Sequence, residues 1–173
     1  MKAKIWGLGL SRTGTTTLTH VLNEVGYKHV HYPTDDEMMS FNNDGASDIP
    51  VIPKYKKLDT MFPNSKFILT TRDKEKWLQS MSTYLERKKT WNQSTRTLNI
   101  REQVYGDVWF DYTVYERAFD DHERKIKEYF KKRPDDLLIL NIVDGIDKPK
   151  KLFDFLGVNK TMDEFPHKNE LKR

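Results

Sequence analysis

The feature that most restricts this chain is a turn near its N-terminus. Gly9-Leu10-Ser11-Arg12-Thr13-Gly14-Thr15-Thr16 follows a short apolar segment, Lys2 to Leu8, and opens a stretch with helical periodicity, Thr15 to Val25. Leu18, Val21, Leu22 and Val25 fall at i, i+3, i+4 and i+7, one face of a helix. Gly26 stands where a helix C-terminal glycine belongs. A strand, a glycine turn and a helix in that order open a βαβ unit, and such a unit needs a parallel sheet covered by helices. The turn has the Gly-x₄-Gly spacing of a phosphate loop, with Thr15 in the lysine position. Its glycines let backbone N–H groups turn inward, and the helix start adds the positive end of its dipole. Thr15 and Thr16 add hydroxyls, and the cation of the loop is Arg12.

The rest of the chain continues the alternation. A second strand is expected within Tyr27 to Tyr32. A polar, broken stretch from Thr34 to Pro53 reads as loop, with a short strand near Asp48 to Ile52. A helix follows over Lys54 to Phe62, then a strand over Lys66 to Thr71 buried on both faces. Lys74 to Lys88 reads as a helix with Trp77, Met81 and Leu85 on one side. Thr90 to Gly106 carries no clear period. Tyr112, Tyr115, Phe119, His122, Ile126 and Tyr129 mark a long helix from Asp107 to Lys132, stopped by Pro134. A last buried strand, Leu137 to Leu140, precedes a helix over Lys148 to Leu156 that ends at Gly157. The expected fold is α/β, a phosphate-loop three-layer sandwich with a central parallel sheet, and residues 1–173 are expected to form one domain. Ligands of such sheets bind at the carboxyl ends of the strands.

Composition removes several classes. The chain has no cysteine, which excludes disulfides, a thiolate nucleophile and cysteine-ligated metals. No apolar run reaches the roughly 20 residues of a membrane span. Met1 to Trp6 lacks a secretory signal's apolar stretch, so a cytoplasmic protein with no membrane partner is expected. The net charge of +4 suits an anionic ligand. Acidic residues are interspersed with the basic ones and no basic arm appears, so nucleic acid is not an expected partner. A phosphate-loop kinase of small molecules is disfavoured by Thr15 in place of lysine, and by the lack of an apolar run ending in an aspartate for magnesium. A non-catalytic nucleotide-binding protein is a further alternative. His29 and His31 share a strand face as surface or packing residues, His122 lies on the apolar face of its helix, and no metal is expected.

A second anchor lies at another strand end. Arg72 follows the Lys66 to Thr71 strand, and Ser80 stands eight residues later inside the next helix. An arginine there can hold an anion with two parallel hydrogen bonds. Taken alone, Arg72 could equally pair with Asp73 or Glu75. With Arg12-Thr13-Gly14-Thr15-Thr16 at the first strand end and Arg72 with Ser80 at this one, the chain resembles the sulfotransferases that use 3′-phosphoadenosine 5′-phosphosulfate. The segment Leu137 to Asp147, then Phe155-Leu156-Gly157-Val158 and Phe165-Pro166-His167-Lys168-Asn169, is similar to the family's last strand, final helix end and closing motif.

That resemblance implies a function. The first loop, Arg12, Thr13, Gly14, Thr15, Thr16 and Thr17, would hold the 5′-phosphosulfate. Arg72 and Ser80 would hold the 3′-phosphate. Arg12 would stabilise charge on the leaving phosphate. The acceptor would be a hydroxyl or amine of a small molecule or carbohydrate. Many relatives carry a base histidine where Asp48 stands, two residues after a lysine where this chain has Ala46. Asp48 is therefore the first choice for the base, with Asp35, Asp36, Glu37 and His31 as alternatives. Thr17 replaces a tryptophan that stacks on adenine in many relatives, so Trp77 or backbone near Asn141 would have to take over adenine contact.

Overall fold

The computed structural model describes residues 3–146 and 148–166. Among them, β1 (Ile5–Gly7), β2 (His29–His31), β3 (Gly45–Ser47), β4 (Lys66–Thr70) and β5 (Leu137–Leu140) form one sheet. Its order is β2-β3-β1-β4-β5, and all four pairings are parallel. The helices are α1 (Thr15–Glu24), α2 (Asp35–Met39), α3 (Tyr55–Met61), α4 (Lys74–Lys88), α5 (Thr95–Tyr105), α6 (Tyr112–Phe130) and α7 (Lys148–Leu156).

Strand alternation builds the three layers. Side chains along a strand point to opposite faces in turn. Ile5 and Ile68 join Leu18, Val21 and Leu22 of α1 and Leu152 and Phe153 of α7 in one core. Their neighbours Trp6, Phe67 and Leu69 join Leu58 of α3 and Ile126 and Phe130 of α6 in the other. A third cluster, built on Trp77, Met81 and Leu85 of α4, Tyr105 of α5 and Tyr115 and Phe119 of α6, packs under Leu10 of the glycine loop. The fold is the expected α/β sandwich. Among the described residues no helix is long and apolar enough to cross a membrane.

The structure departs from the expectations at five points. The third strand is not at Asp48 to Ile52 but at Gly45–Ser47, immediately before Asp48. It carries no apolar signal because it lies close to β1: a Cβ on Gly45 would meet the Ile5 carbonyl oxygen at 1.8 Å, and one on Gly7 would meet Ser47 Cβ at 2.4 Å. The Thr34 to Pro53 stretch contains α2, started by a capping box between Thr34 and Glu37. The unreadable stretch after Thr90 holds α5, capped by Ser94, whose side chain accepts from the Thr97 N–H. Strand β5 is an edge strand with Ile139 exposed, not buried on both faces. The long helix also begins later than Asp107, at Tyr112, because Asp111 caps it by accepting from the Val114 N–H.

Candidate functional site

The carboxyl ends of β1, β3 and β4 carry the glycine loop, Asp48 and Arg72, and the end of β2 carries His31. Pairing of β1 with β3 and β4, and of β3 with β2, places these segments side by side.

The loop's shape comes from its own residues and from three aromatic side chains beneath it. Arg12 and Gly14 have φ of 71° and 98°. For Arg12 this left-handed conformation costs about 1 kcal/mol or more, and such strain concentrates at functional sites. Tyr32 and Asp48, at the ends of β2 and β3, also have positive φ. The Thr13 hydroxyl donates to the Leu10 carbonyl at 2.7 Å and meets the Thr70 hydroxyl at 2.6 Å. It therefore shapes the loop and is not free for a ligand. From the core below, Trp77 Nε1 donates to the Ser11 carbonyl (2.8 Å), the Ser11 N–H donates to the Tyr105 hydroxyl (3.1 Å), and His122 Nε2 contacts the Leu8 carbonyl oxygen (2.6 Å). Burial keeps His122 neutral and pulls its pKa down to about 4. Its ring therefore donates to that carbonyl.

Two arginines meet over this loop. Arg12 Nε donates to Ser80 Oγ at 3.2 Å, and Arg72 Nη1 donates to the Arg12 carbonyl at 3.3 Å. Arg72 pairs with neither Asp73 nor Glu75. Asp73 caps α4 by accepting from the Lys76 N–H, and Glu75 accepts from the Tyr112 hydroxyl. The acid that faces Arg72 is Asp144, 4.0 Å from its Nε, shared with Lys76 at 3.2 Å. Among the described residues that buried Nε has no hydrogen-bond partner. Burial first, then the charge of Arg72, pulls the pKa of Arg12 down from its ordinary value. Two cations crowded together at strand ends give a local positive potential that suits an anion. Asp144 was not singled out from the sequence, where it looked like any turn aspartate.

Asp48 reaches the loop from the other side. Its Oδ1 accepts from Ser11 Oγ (3.0 Å) and from the Ile49 N–H (2.7 Å). Its Oδ2 lies 3.0 Å from His31 Nε2, and the side chain is only 8% exposed against 32% for His31. The same His31 nitrogen is 3.1 Å from Thr16 Oγ1 and 3.3 Å from Thr15 Oγ1. An ionised carboxylate only accepts, so the contact with Asp48 puts a proton on Nε2 and leaves Nδ1 as the basic atom of the neutral ring.

The other candidates separate. Thr17 is buried inside α1. Trp77 is fully buried and spends its N–H on the loop, so it does not stack on a ligand. Asn141 Oδ1 accepts from the Asp144 N–H. Asp35 is paired with Lys54, Glu37 closes the capping box, and both lie with Asp36 on the exposed side of α2. His29 is buried against Thr19 and the Ile5 carbonyl, and burial drops its pKa to about 3. Among the described residues no group of three or more His, Cys, Asp or Glu could hold a metal ion. His167, Lys168 and Asn169 of the closing motif, and Asp147, lie outside the described residues.

Comparison with known proteins adds an independent line. A family model described as a sulfotransferase domain matches residues 34–173, beginning after the glycine loop. A sulfotransferase from Alicyclobacillus acidocaldarius of known crystal structure matches with a TM-score of 0.62 and 14% identity, covering 100% of this chain and 87% of that one. At that identity the likeness speaks to the fold. No curated protein matches the chain. The family model covers most of the sequence and was matched without the loop that first suggested anion chemistry, and on it the chain belongs to the sulfotransferase family.

Proposed function

We propose that the protein transfers a sulfuryl group from 3′-phosphoadenosine 5′-phosphosulfate to a hydroxyl or amine of a small-molecule or carbohydrate acceptor. The observation that carries this reading is the contact of Arg12 with Ser80 and of Arg72 with the Arg12 backbone. It joins two basic strand ends into one site for a ligand with two separated anionic groups. Arg12 with the loop's N–H groups takes the phosphosulfate end, with Gly14, Thr15 and Thr16 completing the cradle and Thr13 and Thr17 supporting it from within. Arg72 and Ser80 take the 3′-phosphate.

In the transfer, an acceptor oxygen or nitrogen forms a bond to sulfur as the bond from sulfur to the bridging phosphate oxygen breaks. The bisphosphate leaves with that electron pair, and Arg12 balances the charge that develops on it. The acceptor's proton goes to His31 Nδ1. Asp48 holds the ring by Nε2 and stabilises the imidazolium, so the carboxylate acts through the histidine. A phosphate-loop kinase would bring magnesium between the Thr16 hydroxyl and a strand-end carboxylate. Here His31 Nε2 already lies between Thr16 and Asp48.

The test is calorimetric titration with adenosine 3′,5′-bisphosphate in EDTA. Metal-free binding supports the reading, and absence of binding overturns it. Magnesium-dependent turnover of ATP under matched conditions would favour the kinase.

A further inference from the structure

Arg101 is the cation that the donor site does not use. It sits on α5 and is only 3% exposed, yet among the described residues its Nη1 has no hydrogen-bond partner. Its Nη2 donates to Gln93 Oε1 at 3.2 Å, a neutral amide. Among the described residues no carboxylate lies within ion-pair distance of it. A buried guanidinium with no counter-charge is costly, and buried charges are normally paired.

The helix period shows where Arg101 faces. Thr97, Arg101 and Tyr105 are spaced by four and share one side of α5. At one end, Thr97 Oγ1 accepts from the Tyr32 hydroxyl (3.2 Å), beside His31. At the other end, Tyr105 accepts from the Ser11 N–H of the glycine loop. Arg101 lies between these contacts, on the side of α5 turned toward the loop and the end of β2. Tyr84 of α4 is a direct neighbour of Arg101, which acts on its hydroxyl by charge and by a hydrogen bond, and its ring has the Arg12 guanidinium 5.6 Å and the Lys88 ammonium 5.5 Å from its centroid. Lys88 has no carboxylate partner among the described residues. Gln93 links the two residues: its Oε1 accepts from Arg101 and its Nε2 donates to the Lys88 carbonyl at 3.5 Å, and burial and then the charge of Arg101 pull the Lys88 pKa down.

We propose that Arg101, with Lys88 beside it, binds an oxyanion carried by the acceptor, so that the preferred acceptors bear a carboxylate or sulfate as well as the group that is sulfated. The inference rests on the sulfuryl-transfer reading for the identity of the ligand, and it names the acceptor's charge class. The acceptor's anion would pair with Nη1 while its hydroxyl or amine approaches His31 and the loop. Cationic compounds are excluded by the same charges.

The test uses matched compounds on one scaffold: 4-hydroxybenzoate against 4-hydroxybenzamide and tyramine, and glucuronate against glucose. Each is titrated into protein saturated with adenosine 3′,5′-bisphosphate, and transfer is read as release of bisphosphate from the sulfuryl donor. The anionic member is expected to bind and react about tenfold or more better than its neutral partner, the size of one charge-assisted hydrogen bond. Arg101→Gln should abolish that preference and leave bisphosphate affinity unchanged, whereas Arg101→Lys should keep part of it. Should Arg101→Gln fail to fold, Arg101→Lys with Lys88→Gln reads the same preference.

Equal binding of charged and neutral partners by the wild-type protein overturns the proposal, as does a preference that survives in Arg101→Gln. A further arm needs no donor: stabilisation of the unliganded protein by benzoate over benzamide, lost in Arg101→Gln and kept in Arg72→Ala. If bisphosphate does not bind but this arm succeeds, the sulfuryl-transfer reading fails and the anion site stands. If bisphosphate binds and this arm fails, the anion site falls alone.

Discussion

His31 Nε2 and Asp48 Oδ2 lie 3.0 Å apart across the ends of two neighbouring parallel strands. The carboxylate is the buried member and the imidazole the accessible one, so in the proposed transfer the acceptor's proton should reach the ring first. His31→Gln and Asp48→Asn should each slow sulfuryl transfer by about 10²- to 10⁴-fold, the range for loss of a general base. Affinity for adenosine 3′,5′-bisphosphate should change little. Initial rates and calorimetry on the same preparations check both halves. A large rate loss in Asp48→Asn with none in His31→Gln would return the base role to the carboxylate alone.

Among the described residues Asp144, at 4.0 Å, is the acid in ion-pair reach of Arg72, and the buried Arg72 Nε has no hydrogen-bond partner. Arg72→Ala should weaken adenosine 3′,5′-bisphosphate by about 1.5–3 kcal/mol, the value of a hydrogen bond to a charged group. Adenosine 5′-phosphosulfate, which lacks the 3′-phosphate, should bind equally to both proteins. Comparison of the two ligands by calorimetry separates a lost 3′-phosphate contact from general damage.

Gly9 has no room for a side chain. A Cβ there would lie 1.7 Å from Thr70 Oγ1 and 2.6 Å from Thr13 Oγ1. Gly9→Ala should destabilise by about 1–3 kcal/mol, as overpacking does, and lower bisphosphate affinity because the two threonines lock the loop. Chemical denaturation and ligand titration report the two effects.

His122 and His29 are held neutral with pKa values of about 4 and about 3, both through burial first. The unfolded chain binds these protons near pH 6.5 while the folded chain refuses them, so their contribution is present above that value. It is lost as pH falls from about 6.5 toward 4 for His122 and toward 3 for His29, at up to about 1.4 kcal/mol per pH unit for each group. His122→Gln should flatten part of the slope of stability between pH 6.5 and 4, measured by urea denaturation at a series of pH values.

The helices α1, α4 and α6 were legible because their apolar faces are periodic, and β4 because Phe67, Ile68 and Leu69 are buried on both sides. Arg12, Arg72 and Ser80, singled out by the loop and by the family resemblance, lie in contact through Arg12. Strand β3 was not legible, because close approach to β1 makes it Gly-Ala-Ser and strips it of any hydrophobic signal. Helix α5 was not, because its inward side carries Arg101 and Thr97 as well as Tyr105, so polarity there does not mark the solvent side. The pairing of His31 with Asp48 joins residues 17 apart through a strand register that no local pattern encodes.

The glycine loop is made early in the chain but finished late. Its backbone is held by Trp77, Tyr105 and His122, which lie 66, 94 and 114 residues downstream of their partners. When the loop leaves the ribosome, none of these residues has been synthesised. The loop therefore takes its final shape only after α6 has docked under the sheet. On the proposed function, a nascent or truncated chain ending before His122 should not be rescued by nucleotide, because the loop that would hold it has not yet formed.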